Sequence, residues 1–340
     1  MRESLTIKDI ARLANVAPST VSKALNGRSD IGAETREAVL KIAKEHNFSP
    51  NAFGKALKNK FTGNIGVIFH RDDKPLSTNP FWTRVLEGIE AESAFNNYNL
   101  VLHLMPARNK QELPKMVRER QVDGVILVGT RNEEFVKVMQ AANVPHILVD
   151  PRATLSDCWQ VLIDNENGAF IATQHLIERG HHEIGFIAGE LSERSFQQRF
   201  NGFKKALSYH GLTLQERFVT TGESELGYER TKALLRGLDR PTAIFAANDM
   251  LALQAYKAIY ELDLKIPDDL SVIGFDDIHL TTMSRPPLTT IRVYKEELGS
   301  VAVRTLRELI HRNLDGFSAS VIPVKLIERE SVRAVSVESI

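Results

Sequence analysis

The chain has 340 residues, which is more than one small domain needs and predicts two or three domains. With 43% hydrophobic and 25% charged residues, its composition is typical of a globular protein and excludes a disordered, fibrous or membrane-embedded chain. Lysine plus arginine and aspartate plus glutamate both number 43, so the chain as a whole shows no charge preference for nucleic acid or acidic membranes.

Targeting segments and disulfides are not expected. No apolar run approaches the ~18 residues of a membrane span, and the amino terminus lacks the apolar segment of a secretory signal. The only cysteine, Cys158, cannot form an intrachain disulfide and cannot by itself build a structural zinc site, which takes about four ligands. We therefore expect a cytoplasmic protein with a buried, inert thiol and with no metal or cofactor.

The charges are unevenly distributed along the chain. Residues 1–61 contain 11 basic and 6 acidic side chains, which gives a net charge of +5, and the remainder carries −5. A basic head on an acidic body is typical of a polyanion-binding module joined to another domain, although a solvated surface can have the same charge.

The first 46 residues predict three short helices. Thr6 is suited to cap a helix with Asp9 at its third position, and the apolar residues that follow recur at helical spacing. A second helix is predicted to begin at Pro18 and to close at Asn26-Gly27, and a third runs over residues 33–46. The short connection between the first two predicts a helix-turn-helix unit, whose second helix exposes small hydrogen-bonding side chains suited to a DNA major groove. A helical hairpin with an ordinary solvated face is the alternative.

Four runs in this region closely resemble the DNA-binding head of the LacI/GalR (lactose-repressor) family. They are TIKDIA at 6–11, NVAPSTVSKALNG at 15–27, TR at 35–36 and SPNA at 49–52. The resemblance implies that the second helix enters the major groove and that Pro18, Ser19 and Lys23 read bases. The complete set of implied DNA-contacting residues is Pro18, Ser19, Thr20, Ser22, Lys23, Asn26, Lys55 and Leu57.

A hinge segment is predicted after the head. Ser49 and Pro50 can open a helix over residues 51–59, but this helix is too short to be stable alone, so we expect it to be disordered without DNA. In the family the hinge helix lies in the minor groove, which implies that Leu57 wedges between base steps with Lys55 nearby. A core contact with the body is the alternative for Leu57.

From residue 65 onward, continuous apolar runs of strand length alternate with helical patterns. The runs are 65–69, 100–104, 125–128, 147–149, 161–163, 184–188, 243–246 and 272–275. Continuous runs indicate strands that are covered on both faces, and therefore parallel sheets with flanking helices. Eight such units and a pause at 151–160 favour two similar lobes.

The body also resembles the effector domain of the same family, which is like a periplasmic sugar-binding protein. The stretches that carry this resemblance are NPFW at 79–82, RFNGF at 199–203, AND at 247–249, IGFDD at 273–277 and PLTT at 287–290. The expected fold is thus α/β, with an all-α helix-turn-helix head (1–48), a hinge (49–61) and a two-lobed effector-binding and dimerisation domain (62–340). Lobe 1 is expected at about 62–160 and 291–320, and lobe 2 at about 161–290 and 321–340.

Ligands of such folds bind at the carboxyl ends of the strands, here between the lobes. The residues expected there are Phe81, Trp82, Asp150, Ser195, Arg199, Asn248 and Asp276. Carboxylates that accept from hydroxyls, together with an aromatic ring, suit a polyol. Asp276 or Asn248 could instead cap the next helix, Asp150 could be a loop acid, and either aromatic could belong to the core.

Two further positions bear on the ligand class. Gly222 stands where sugar- and purine-binding members commonly have an aromatic residue, which disfavours a purine held between two rings. Glu193 adds an acid near the site. We therefore favour a hydroxyl-rich, neutral ligand over an anionic or planar one.

The sequence contains no phosphate-binding glycine loop and no zincin helix, so catalysis is not expected. A secreted sugar-binding protein would need a signal sequence and no basic head. The favoured function is a ligand-controlled transcription regulator, expected to be a repressor, that binds a palindromic operator as a homodimer. With no heptad tail, a tetramer is not expected. The alternative is a catabolite-control-type regulator whose main coregulator is a phosphorylated carrier protein.

Overall fold

The computed structural model describes residues 5–335 apart from residues 26, 29, 47, 49–60, 72–75, 107–111, 131, 156 and 238. It divides the chain into two compact units, Met1–Gly63 and Asn64–Ile340. The predicted hinge helix, with Lys55 and Leu57, lies outside the described residues, as does Asn26. Within the described residues, no helix combines the length and apolar character needed to cross a membrane.

The first unit contains the three predicted helices, α1 (Ile7–Leu13), α2 (Pro18–Leu25) and α3 (Ala33–Glu45). Asp9 Oδ2 accepts hydrogen bonds from the Thr6 backbone N–H (2.9 Å) and the Thr6 hydroxyl (2.6 Å), and this contact lowers the pKa of the Asp9 carboxyl. The helices enclose a small apolar core built from Ile10, Ala11, Val21, Ala24 and Val39. The predicted helix-turn-helix head is therefore confirmed.

The second unit contains two six-stranded sheets flanked by helices. Its strands are β1 (Asn64–Arg71), β2 (Asn99–Pro106), β3 (Gly124–Val128), β4 (His146–Val149), β5 (Gln160–Ile163), β6 (Ile184–Ile187), β7 (Val219–Thr220), β8 (Ala243–Ala246), β9 (Ser271–Asp276), β10 (Thr289–Val293), β11 (Ala319–Ile322) and β12 (Val324–Ile327). Its helices are α4 (Pro80–Phe95), α5 (Lys115–Arg118), α6 (Glu133–Ala141), α7 (Asn165–Glu178), α8 (Arg194–Tyr209), α9 (Gly227–Leu235), α10 (Asp249–Tyr260) and α11 (Lys295–Ile310).

The two sheets define two lobes. The first has the order β11-β5-β4-β3-β1-β2 and is parallel throughout. The second has the order β12-β10-β9-β8-β6-β7, and only its edge strand β12 pairs antiparallel, with β10. Their central strands are buried on both faces, as the continuous apolar runs predict. Cys158 is buried in the first lobe, and this burial raises the pKa of its thiol to about 11.

The chain passes between the lobes three times, after Ile163, after Val293 and after Ile322, each within a few residues of the approximate predicted boundary. The predicted boundary at residue 160 falls at the first residue of β5, which pairs with β4 and β11 in the first sheet, so the chain leaves that sheet only after Ile163. In the same way β10 stays in the second sheet up to Val293, and β11 stays in the first sheet up to Ile322.

Helices α4 and α11 pack against each other on the first sheet through facing glycines. A Cβ atom on Gly299 would lie 2.6 Å from the backbone nitrogen of Ile89 and closer still to the carbonyl oxygen of Val85. A Cβ atom on Gly88 would overlap the backbone of Glu296. The two backbones therefore approach to a distance that no other side chain permits.

Replacing Gly299 with alanine should lower the free energy of unfolding by about 2 kcal/mol. The new methyl group overpacks the contact, which costs up to ~3 kcal/mol, and this outweighs the gain of ~1 kcal/mol from removing a helical glycine. Urea unfolding followed by circular dichroism measures the change. The control is Glu90→Ala, on an exposed position of α4, which should leave stability unchanged. Equal stability of the two variants would contradict the close packing.

Candidate ligand cavity and nucleic-acid interface

A cavity of about 460 Å³ lies between the two lobes of the second unit. All seven residues predicted to bind a ligand line it, namely Phe81, Trp82, Asp150, Ser195, Arg199, Asn248 and Asp276. They come together because they follow strands of two parallel sheets whose carboxyl ends face the same space. That they contact a ligand remains a prediction.

The first lobe contributes the aromatic residues at the start of α4. Asn79 Oδ1 accepts from the backbone N–H groups of Phe81 (3.1 Å) and Trp82 (3.2 Å), which fixes the first turn of the helix. The two rings meet edge to face, with centroids 4.8 Å apart. Phe81 is 9% exposed and belongs to the core cluster, so the core alternative holds for it in part, whereas Trp82 is only partly buried. Trp82 packs over Gly129, where a Cβ atom would lie 3.1 Å from its ring.

Arg199 is the structural centre of the second-lobe side of the cavity. It is 4% exposed. Its guanidinium donates to Asn165 Oδ1 (2.9 Å) and to the carbonyl oxygen of Ala247 (2.5 Å), and its Nη2 lies 3.3 Å from Asp276 Oδ1. Its Cζ atom also lies 3.8 Å from the ring centroid of Phe275. Arg199 thus joins the ends of β8 and β9 to α7.

Asp276 carries an acceptor that the protein does not fully use. Its Oδ1 is buried and accepts no hydrogen bond from the described residues, although Arg199 lies close by. Burial raises the pKa of this carboxyl, while the neighbouring Arg199 lowers it. Behind it, the fully buried Asp249 accepts from Thr290 Oγ1 (2.5 Å) and from the Ile278 N–H (2.9 Å), and its own pKa is raised, first by burial and then by Asp276. Because Asp276 also lines the cavity, its carboxylate is suited to accept a hydrogen bond from a ligand hydroxyl.

Asn248 has both of the roles considered for it. Its Oδ1 accepts from the Leu251 N–H (2.8 Å) and so caps α10, as in the alternative interpretation, while the residue also lines the cavity. Asp276 caps no helix.

Ser195 lies in the first turn of α8. Glu193, two residues before it, lies 3.9 Å from Arg152 of the first lobe.

Several cavity residues were not among the predicted ligand set. Six of them with charged or amide side chains are Arg152, Glu190, Glu193, Glu223, Glu225 and Gln254. Five of the six follow a strand by several residues, in loops without a motif. Gly222 adopts φ +140°, which favours glycine, and it turns the chain so that Glu223 lines the cavity.

The described lining is acidic on the second-lobe side. It holds Glu190, Glu193, Glu223, Glu225 and Asp276, against the single cation Arg199 among the described residues of that side. Since the Arg199 guanidinium already contacts three protein acceptors, little of its charge is available to an anion. This arrangement favours a ligand that donates hydrogen bonds and disfavours a negatively charged one.

In the head, the predicted DNA-contacting residues of α2 lie on its solvent side. Pro18, Ser19 and Lys23 are exposed and Thr20 and Ser22 are partly exposed, while Val21 and Ala24 are buried. The Lys23 ammonium lies 2.7 Å from the carboxylate of Asp30, and both side chains are about half exposed. Such a surface pair is weak and leaves the lysine available to another partner.

Comparison with known proteins gives two matches to family models. The model described as "Bacterial regulatory proteins, lacI family" matches residues 6–51, and the "Periplasmic binding protein-like domain" matches residues 173–332. The chain is 35% identical over 331 residues to the ribose operon repressor of Haemophilus influenzae, covering 96% of this chain and 98% of that protein. It is 34% identical over 343 residues to the HTH-type transcriptional repressor PurR of the same species, with 97% and 99% coverage.

A solved structure is also similar over the full length. The crystal structure of the Lac repressor dimer bound to operator and to the anti-inducer ONPF superposes with a TM-score of 0.83 at 26% identity. The match covers 98% of this chain and 100% of that chain.

Replacing Asp150 with asparagine should raise stability at neutral pH. Burial raises the pKa of this carboxyl from its ordinary value of 3.8 to about 6, with Arg199 opposing the shift. The folded state binds the proton on Asp150 more tightly than the unfolded state does. Protonation of Asp150 therefore adds to the wild-type free energy of unfolding at low pH, and this stabilisation is lost as the pH rises from about 4 to about 6. The variant should lack this loss and gain about 1–2 kcal/mol at pH 7. Urea unfolding at pH 4 to 7.5 measures it, and parallel curves for the two proteins would contradict the raised pKa.

Proposed function

The chain belongs to the LacI family of bacterial regulatory proteins, and we propose that it is a cytoplasmic, non-enzymatic repressor that binds a palindromic operator as a dimer and is controlled by a small hydroxyl-rich ligand. One observation carries this proposal: a helix-turn-helix head and an inter-lobe cavity lined by all seven predicted ligand residues belong to the same chain. The similarity to two repressors over almost the whole chain supports the regulatory function.

A sugar or sugar derivative fits the chemistry of the cavity. Hydroxyl groups can donate to the carboxylates of Asp276 and of the second-lobe glutamates. Trp82, which also lines the cavity, is suited to contact the apolar side of a pyranose or furanose. A phosphorylated sugar would meet the acidic lining and is disfavoured. The name of the ribose operon repressor points to the same class of ligand. The similarity to that relative extends over 98% of its length.

A second copy of this chain is the proposed partner in the dimer. Large apolar side chains lie exposed on both lobes, including Leu102 on the edge strand β2 (47% exposed), and Leu280 (43%) and Met283 (67%) after β9. Exposed apolar side chains of this kind are available for burial in an interface. The full-length similarity to the Lac repressor dimer supports this assignment.

Isothermal titration of the purified protein tests the ligand class. The panel contains D-ribose and other mono- and disaccharides, polyols, purines and nucleosides, with ribose 5-phosphate as the negatively charged counterpart of ribose. We expect a neutral sugar to bind and to change operator affinity, and a phosphorylated sugar to bind at least about tenfold more weakly because of the acidic lining. A heat of binding observed with purines and with no sugar would contradict the sugar assignment. No heat with any compound, with operator binding intact, would favour a phosphorylated carrier protein as coregulator.

Replacing Lys23 with methionine should weaken operator binding about tenfold, because a lysine contact to a guanine edge contributes roughly 1–3 kcal/mol of discrimination. The operator is first selected from random palindromic duplexes with the full-length wild-type protein, and affinity is then measured by fluorescence anisotropy. The control is Lys41→Met on the exposed side of α3, outside the predicted contact set. Equal effects of the two substitutions would show that Lys23 contributes only general charge.

The same binding assay tests the dimer. Binding of one chain to a single half-site with full affinity would contradict it.

A further inference from the structure

Lys295 occupies a position where its charge is unfavourable to the helix that it begins. It is the first residue of α11, whose amino terminus carries partial positive charge, and Glu296 and Glu297 follow in the favourable sense. Its side chain is nevertheless only 6% exposed. A buried ammonium group at a helix amino terminus requires compensation from elsewhere in the structure.

Three carbonyl oxygens provide that compensation. Lys295 Nζ donates to the carbonyl oxygens of Asp276 (2.5 Å), Asp277 (3.1 Å) and Val293 (3.1 Å). An ammonium group has three N–H donors, so each finds an acceptor. All three acceptors belong to the second lobe, at or just beyond the ends of β9 and β10, whereas α11 packs on the first sheet. Lys295 therefore joins the two lobes at the second crossing.

Two of these acceptors belong to strained backbone. Asp276 has φ +112° and Asp277 has φ +54°, in the region that residues with a Cβ atom rarely adopt. This conformation directs the two carbonyl groups to Lys295, and it places the Asp276 carboxylate beside Arg199 in the cavity. The Asp277 carboxylate instead forms ion pairs with Arg292 and Arg329, each at 2.6 Å, away from Arg199.

The other end of the connection reaches the opposite side of the cavity. Helix α11 is locked to α4 by the facing glycines Gly88 and Gly299, and α4 carries Trp82 in its first turn. A continuous set of packed elements thus runs from Asp276 through Lys295, α11 and α4 to Trp82. Both ends of this set line the same cavity.

We propose that Lys295 is a positioning residue, which holds the strained Asp276–Asp277 backbone so that Asp276 faces the cavity and which transmits occupancy at Asp276 to the angle between the lobes. The proposal rests on the proposed function in so far as it concerns the response to a ligand. The positioning itself does not depend on which ligand binds.

Spin labels on the full chain test the positioning without any ligand. Labels are attached to Lys137→Cys on α6 of the first lobe and Glu229→Cys on α9 of the second, both exposed, while Cys158 is buried. The inter-lobe distance distribution from double electron–electron resonance should broaden about twofold in Lys295→Met, because the lobes lose a joining contact. The control Lys205→Met, on an exposed ion pair of α8, should leave the distribution unchanged. An unchanged width in Lys295→Met would overturn the proposal.

If Lys295→Met does not fold, Lys295→Arg gives the same test. Arginine keeps the charge, but its planar guanidinium cannot present hydrogens to three carbonyls that converge on one atom. A folded arginine variant should also show broadening, and a wild-type width would overturn the proposal.

Titration with D-ribose then tests the coupling. In Lys295→Met, or in the arginine variant if the former does not fold, ribose affinity should fall about tenfold, and the ratio of operator affinities with and without ribose should move towards one, while operator affinity without ribose stays within about threefold. A wild-type ratio would overturn the coupling. Should ribose not bind the wild-type protein, the best-binding sugar of the panel replaces it. A failure of all sugars contradicts the proposed function alone, since the distance measurement is made without ligand.

Discussion

The buried Arg199 guanidinium is the interaction on which the second-lobe side of the cavity depends. It reaches Asn165 at the start of α7, the carbonyl of Ala247 after β8 and the carboxylate of Asp276 at the end of β9. Without a cation at this point, the largely buried carboxylate of Asp276 would lie near the fully buried Asp249 with no opposite charge directly against it. The price of burying these groups is offset by their pairing, which holds the Asp276 carboxylate in the wall of the cavity.

Much of the body was predictable because its central strands are apolar on both faces. Each of the eight apolar runs forms a strand, and the residues that follow the strands meet in one cavity, as the geometry of parallel sheets requires. The last two strands were harder to foresee. β11 begins with three exposed residues, and β12 is a half-exposed edge strand that pairs antiparallel, so neither has a continuous apolar pattern.

The roles of individual side chains were less predictable than their positions. A sequence does not distinguish whether Asn248 caps a helix, contacts a ligand or does both, because either role needs only an amide beyond a strand end. Lys295 gave no signal at all. A lysine beside two glutamates at a helix start has the pattern of a solvated surface, and only the fold reveals that strand ends separated by many residues converge on its ammonium group.

The three crossings between the lobes have a consequence for how the chain is made. The first sheet ends in β11, an edge strand contributed by residues 319–322, after the whole second sheet except β12 has been synthesised. During translation the first lobe therefore remains without this edge while the second lobe is being built, and the side of β5 that faces away from β4 exposes backbone donors and acceptors. The two lobes consequently mature together at the end of synthesis, and a chain truncated before residue 319 lacks an element of both.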